Sequence, residues 1–113
     1  MQQLEKQAYI YCIDTADFVK SLEKMNKTFP NIQEIKKLSG EMYHHIADTH
    51  KANTNKEFAD ILRKTKTITE KLQSKLPTIN PEEDTLTEKQ KNLTEKLTEI
   101  QNRLNDILSK IIY

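Results

Sequence analysis

Residues 29–58, FPNIQEIKKLSGEMYHHIADTHKANTNKEF, hold one whole helix and the start of the next. Pro30 lacks the N–H that would carry an incoming helix onward, so a break is expected there. Asn31 with Glu34 three residues later is a capping-box pattern, and the spacing predicts a helix from about 31 to 50. Its apolar residues Ile32, Ile35, Leu38, Met42 and Ile46 recur at steps of three and four, the period of a helix buried on one face. Thr54 with Glu57 is a second box and opens a third helix whose first large apolar residue is Phe58. Gly40, in the middle of the first of these helices, costs about 1 kcal/mol relative to alanine, which close approach of another helix, in this chain or in a second subunit, would offset.

Working outward, the N-terminal side carries Leu4, Ala8, Tyr11, Phe18, Leu22 and Met25 on the same ladder, interrupted by Thr15, and predicts a helix from about 2 to 27. Ile10, Ile13 and Val19 lie beside this ladder and widen the apolar face, as expected of a helix that touches two neighbours. On the C-terminal side Phe58, Ile61, Leu62, Ile68 and Leu72 mark a helix from about 55 to 76, in which Thr65, Thr67 and Thr69 lower intrinsic propensity and leave packing to hold it. Pro77 ends it. Asn80-Pro81-Glu82-Glu83 then offers a cap residue, a proline at the first helical position and acids at the positive end of the dipole, predicting a last helix from about 81 to 112. Leu86, Gln90, Leu93, Leu97, Ile100, Leu104, Ile107 and Ile111 alternate four and three along it, the clearest heptad of the chain. Four such helices joined by short links predict an all-α, up-down-up-down antiparallel four-helix bundle over residues 1–113 as one domain. The competing architecture, a coiled-coil dimer of fewer and longer helices, would have to run through Pro77 and Pro81.

The order of residues also resembles a known family. Phe29-Pro30, the basic pair Lys36-Lys37, the small pair Ser39-Gly40, Ile46-Ala47-Asp48 and Lys56-Glu57-Phe58 are similar to the pattern of the small four-helix-bundle family of ribosomal RNA intervening-sequence proteins and of the accessory variability determinants of diversity-generating retroelements. That pattern has arginines at the basic pair and Asn-Ile-Ala-Glu-Gly where this chain has His45-Ile46-Ala47-Asp48-Thr49. Ile100, Arg103, Leu104, Asn105, Ile107 and Leu108 resemble the family's last helix. The resemblance implies a non-catalytic bundle that forms a barrel-like homo-oligomer, a pentamer in the retroelement proteins, and binds RNA and a reverse transcriptase.

Charge and composition bear on both the resemblance and its alternative. Lys and Arg number 18 against 17 Asp and Glu, so total charge demands no nucleic-acid partner. Residues 51–75 carry seven basic residues against three acidic, a net +4, whereas residues 81–113 carry five against seven. Lys36, Lys37, Lys56, Arg63, Lys64 and Lys66 are therefore the candidate nucleic-acid-binding residues, and the same residues equally suit a solvated helix face. Leu108, Ile111 and Ile112 form an apolar C-terminal group that, with Gly40, is the candidate interface between copies. The competing function is a structural or adaptor bundle, including a mobile-element or viral inhibitor, acting through protein contacts without nucleic acid.

Catalysis, metals and membranes find little support. Glu41 with His45 and His44 with Asp48 are four apart, but a bundle metal site takes ligands from several helices. No spacing joins a nucleophile, a base and an oxyanion donor, and no glycine-rich phosphate loop occurs, so neither an enzyme nor a cofactor is expected. The single Cys12 has no disulfide partner and reads as a small buried hydrophobe. No apolar run approaches the roughly 18 residues of a membrane span and no signal-peptide pattern stands at the start, so a soluble, cytoplasmic protein is expected.

Overall fold

The computed structural model describes residues 1–26 and 29–112. Four helices follow one another: α1, Gln2–Lys24; α2, Ile32–Ala47; α3, Asn55–Lys75; and α4, Asp84–Lys110. Short 3-10 turns, Asp48–Lys51 and Leu76–Thr78, extend α2 and α3 into their links. Each helix packs on its chain neighbour, and α1 closes the ring against α4. Cross-helix bonds fix the directions. Gln7 meets Arg103, Asp14 meets Lys96 and Asp17 meets Lys89, so numbers rise along α1 as they fall along α4. Glu34–Lys75 and Asn31–Thr78 do the same for α2 and α3. The result is an up-down-up-down antiparallel bundle of 48 × 21 × 19 Å.

The apolar ladders of α2 and α4 go inside as their spacing requires. Ile32, Ile35, Leu38, Met42 and Ile46 are buried on α2, and Leu86, Leu93, Leu97, Ile100 and Leu104 on α4. Thr54 caps α3 by accepting the Glu57 N–H at 3.1 Å, and the Glu57 carboxylate reaches back to the Asn53 N–H at 2.7 Å. The other expected box does not form. Asn31 stands at the N-cap of α2 but donates its side-chain amide to Thr78, while Glu34 pairs with Lys75, so both side chains tie α2 to α3 instead of closing their own helix.

Three boundaries differ from the sequence reading. α1 stops at Lys24, where Asn26 takes a left-handed φ of 55° and its N–H bonds the Glu23 carbonyl at 3.0 Å; Lys27, the expected last residue, lies outside the described residues. α-Helical geometry in α2 ends at Ala47 and tightens to 3-10, with the Thr49 hydroxyl donating to the Ile46 carbonyl at 2.7 Å. α4 begins at Asp84 rather than at Pro81, because Ile79 and Pro81 are drawn into the core and Glu82 turns through φ 58° before the helix winds. Gln90, the polar rung of the heptad, explains how that link is held: its amide donates to both the Leu76 and Ile79 carbonyls at 2.7 Å.

The greatest departure is on α1. Thr15, expected as an interruption, is fully buried, whereas Met25, expected in the ladder, is 45% exposed. Val19 is buried as expected, but Ile10 and Ile13 face outward. The Tyr11 and Thr15 hydroxyls lie one turn apart in the core; neither has a partner of good hydrogen-bond geometry among the described residues, but they are close enough for Thr15 to act on the phenol. Burial pushes the Tyr11 phenol far above its ordinary pKa.

Candidate functional site

The basic residues chosen from the sequence do not share one surface. Lys36 lies seven residues before Tyr43, hence on the same face of α2, and Tyr43 packs on Tyr9 of α1 with ring centroids 5.6 Å apart. Lys36 therefore belongs to the α1–α2 side. Lys66 lies seven before Gln73, whose amide oxygen accepts from Gln101 of α4, which puts Lys66 on the α3–α4 side. Lys56 and Arg63, seven apart on one face, with Arg63 three before Lys66, lie toward the outer α3–α4 side, so only Lys37 and Lys64 remain on the α2–α3 side. There Lys64 lines an open cleft of about 420 Å³ with His45, Asp48, Lys51, Glu57 and Asp60.

Acids are interleaved with these bases. Lys37 pairs with Glu41 at 3.9 Å, Lys51 with Asp48 at 3.2 Å and Arg63 with Asp60 at 3.2 Å. The net +4 of residues 51–75 is thus distributed around α3 and locally countered, because a run of charge along a helix is spread over its circumference every 3.6 residues. Among the described residues no group of three or more His, Cys, Asp or Glu side chains could hold a metal ion. Nor is any helix long and apolar enough to cross a membrane.

The expected interface residues are placed differently from one another. A Cβ built on Gly40 would meet nothing within 4 Å, so no helix of this chain approaches it, and the glycine opens onto unfilled space. Leu108 and Ile111 are half-buried against the chain's own core. Ile111 and Ile112 lie past the end of α4; Ile112 is 85% exposed, and its carbonyl accepts from the Asn55 side chain at 2.8 Å. The C-terminal patch is therefore smaller than the sequence suggests.

A different surface stands out, in which Ile13, expected on the apolar face of α1, joins two tyrosines that the sequence reading left unassigned. Tyr9, Ile10 and Ile13 are 53%, 38% and 50% exposed on α1. Tyr43 adjoins them from α2, tilted 54° against Tyr9, and its other side meets the His44 ring at 5.9 Å. Below this ridge the helices come close: the Cys12 thiol donates to the Ser39 carbonyl at 2.9 Å, and burial raises its pKa, so it serves packing rather than reactivity. The signal was present in the sequence. Ile10 sits about 100° and Ile13 about 160° around the helix from the Leu4–Tyr11–Phe18 line, Ile10 toward the α4 flank and Ile13 directly away from the core.

Along the opposite flank of α1, Asp14 and Asp17 face α4 and are taken by Lys96 and Lys89. The hydrogen bond from Lys89, at 2.7 Å, holds the Asp17 carboxyl below the usual carboxylate range.

Comparison with protein-family models, with curated proteins and with solved structures finds no match for this chain.

Proposed function

We propose that this protein is a non-catalytic adaptor bundle that works by docking another protein on its α1–α2 face. The observation that carries the reading is the surface of Tyr9, Ile13 and Tyr43, outside a core that is already complete without it. Folding alone gains by burying such residues, roughly 1.5–3 kcal/mol for a large apolar side chain, so leaving them in water is an uncompensated cost unless a partner covers them. The test is a photo-reactive amino acid at position 13, with a control at the exposed Lys91 of α4, in the native host. A protein adduct at position 13 that disappears in a Tyr43→Ala background supports docking. Equal adducts at both positions, or none, remove it.

The second reading is the RNA-binding oligomer that the family resemblance implies, with a reverse transcriptase as protein partner. It is favoured by the exposed bases Lys56, Arg63 and Lys64, which together span the outer surface of α3. Symmetry in a ring would repeat this surface and let weak phosphate contacts add. Filter retention of structured RNA at about 50 mM salt, lost on replacing Arg63 and Lys64 with Gln, would put this reading first. A mass near the 13.3 kDa of one chain by light scattering would remove its oligomer.

A further inference from the structure

Resting on the docking reading, the geometry points to the occupant: we propose that the α1–α2 face receives a second copy of this chain, with the two α1 helices antiparallel about a two-fold axis beside Ile13. The outer line of α1 on its α2 flank runs Glu5, Tyr9, Ile13, Ala16 and Lys20, at steps of three and four. This line is high at one end and low at the other. Tyr9 and Tyr43 form a ridge, their rings 5.6 Å apart, at the end nearer the start of α1. Towards the other end Ala16 is small and exposed. On α2 a Cβ built on Gly40 would meet nothing within 4 Å, and the Cys12–Ser39 bond sets that glycine level with the middle of the line, so the hollow begins there.

A two-fold axis across the helices exchanges their ends. Placed midway between positions 12 and 13, it sets Tyr9 across from Ala16 of the copy, Glu5 across from Lys20 and Gln2 across from Glu23, because all three pairs are centred on the same point of the helix. Ile13 then meets its own counterpart. The aromatic ridge of each chain enters the hollow of the other, large residue against small, which is what close helix packing asks for. Charge agrees with shape. Neither Glu5 nor Lys20 has an ion-pair partner among the described residues, and the axis supplies one for each, twice over. Lys6 is turned about 100° from Glu5 towards the α4 flank, the side on which Asp17 of the copy stands within one turn of it. Parallel docking would instead put ridge on ridge and Glu5 against Glu5. A face whose ridge and hollow, and whose acid and base, balance about one point is self-complementary, as an isologous contact requires, and such a contact closes at two chains instead of growing into a ring.

The contact runs from Gln2 to Glu23, about 30 Å of a single helix face, so a reversible dimer is expected rather than a permanent one. In sedimentation of the full chain from about 10 μM to about 1 mM, the mass should rise from 13.3 kDa towards that of two chains. Ile13→Asp should hold it at one chain with helical circular dichroism unchanged. Ala16→Trp adds apolar surface, which would strengthen indiscriminate sticking, yet it should also abolish the dimer because Tyr9 of the copy loses its place. Glu5→Lys or Lys20→Glu alone should weaken dimerisation roughly tenfold at low salt. Both together in one chain rebuild the pair in reverse without altering net charge, and should restore it to within about threefold of the parent. A dimer that ignores Ile13→Asp, a dimer strengthened by Ala16→Trp, or two charge changes that fail to rescue each other overturns the proposal. The mass of one chain throughout the range also overturns it, and the adduct at position 13 then separates the two ideas: an adduct with a different protein leaves the docking reading standing, and no adduct removes both.

Discussion

α1 and α4 lie side by side, joined among the described residues by four polar bonds, and use their residues in opposite ways. α4 turns Leu86, Leu93, Leu97, Ile100 and Leu104 inward and keeps charges outside. α1 buries a phenol and a threonine hydroxyl that have only each other nearby and exposes Tyr9, Ile10 and Ile13. α4 is arranged as stability alone would have it. α1 carries polar groups inside and apolar groups outside, a pattern that weakens the isolated fold and gains only when something else is present. That contrast is what the proposed docking role on α1, with α4 as its scaffold, would require.

The contrast can be broken most decisively at α4. Leu97→Ala or Leu104→Ala should cost about 2–5 kcal/mol in urea unfolding, from lost burial and a cavity, a large part of the stability of one domain. A loss under about 1 kcal/mol would mean that α4 is not the scaffold helix. The next effect is not a loss. Replacing both core hydroxyls, Tyr11→Phe with Thr15→Val, should leave stability unchanged or raise it by about 1 kcal/mol, because the two buried polar groups, which have only each other, are removed together. A measured loss would show that the two hydroxyls are satisfied in solution. Ile13→Asn on the outer face should change stability by no more than about 0.5 kcal/mol, and a drop comparable to Leu97→Ala would mean that Ile13 is packed.

The smallest effect is at the seam between the two helices. The Asp17 carboxyl titrates below its unfolded value of about 4, so its contribution is fully present above that pH and is lost as pH falls through the lowered value. Melting at pH 7 and at pH 3 should therefore show a slightly larger acid loss for the parent than for Asp17→Asn. Identical losses would mean that the Lys89 pair exists without holding the carboxyl ionised.

The bundle was largely legible because its evidence is local. The step of three and four in Ile32–Ile46 and in Leu86–Leu104 reports a buried face whatever the neighbour is, and Thr54 with Glu57 closes within one turn. What escaped the sequence depends on distant residues. Asn31 looked like a cap and instead serves Thr78, 47 positions away. Thr15 looked like a gap and is core, because the face of α1 is set by where α2 and α4 lie rather than by hydrophobicity alone. The basic set failed to converge for a related reason: Lys64 and Lys66 are two apart, which on a helix sends them to opposite flanks. Gly40 was recognised as unusual, yet only the arrangement of α1 beside it shows that it faces open space.

Gln90 ties the carbonyls of Leu76 and Ile79 to a side chain that belongs to α4. The link between α3 and α4 keeps one bond of its own, from the Ile79 N–H to the Leu76 carbonyl at 3.2 Å, and it cannot straighten without pulling both carbonyls off the Gln90 amide. Exchange of α4 between two copies requires that link to act as an opening hinge. One glutamine amide thus works as a lock against domain swapping, and Gln90→Leu should release α4 to trade places between chains at high protein concentration.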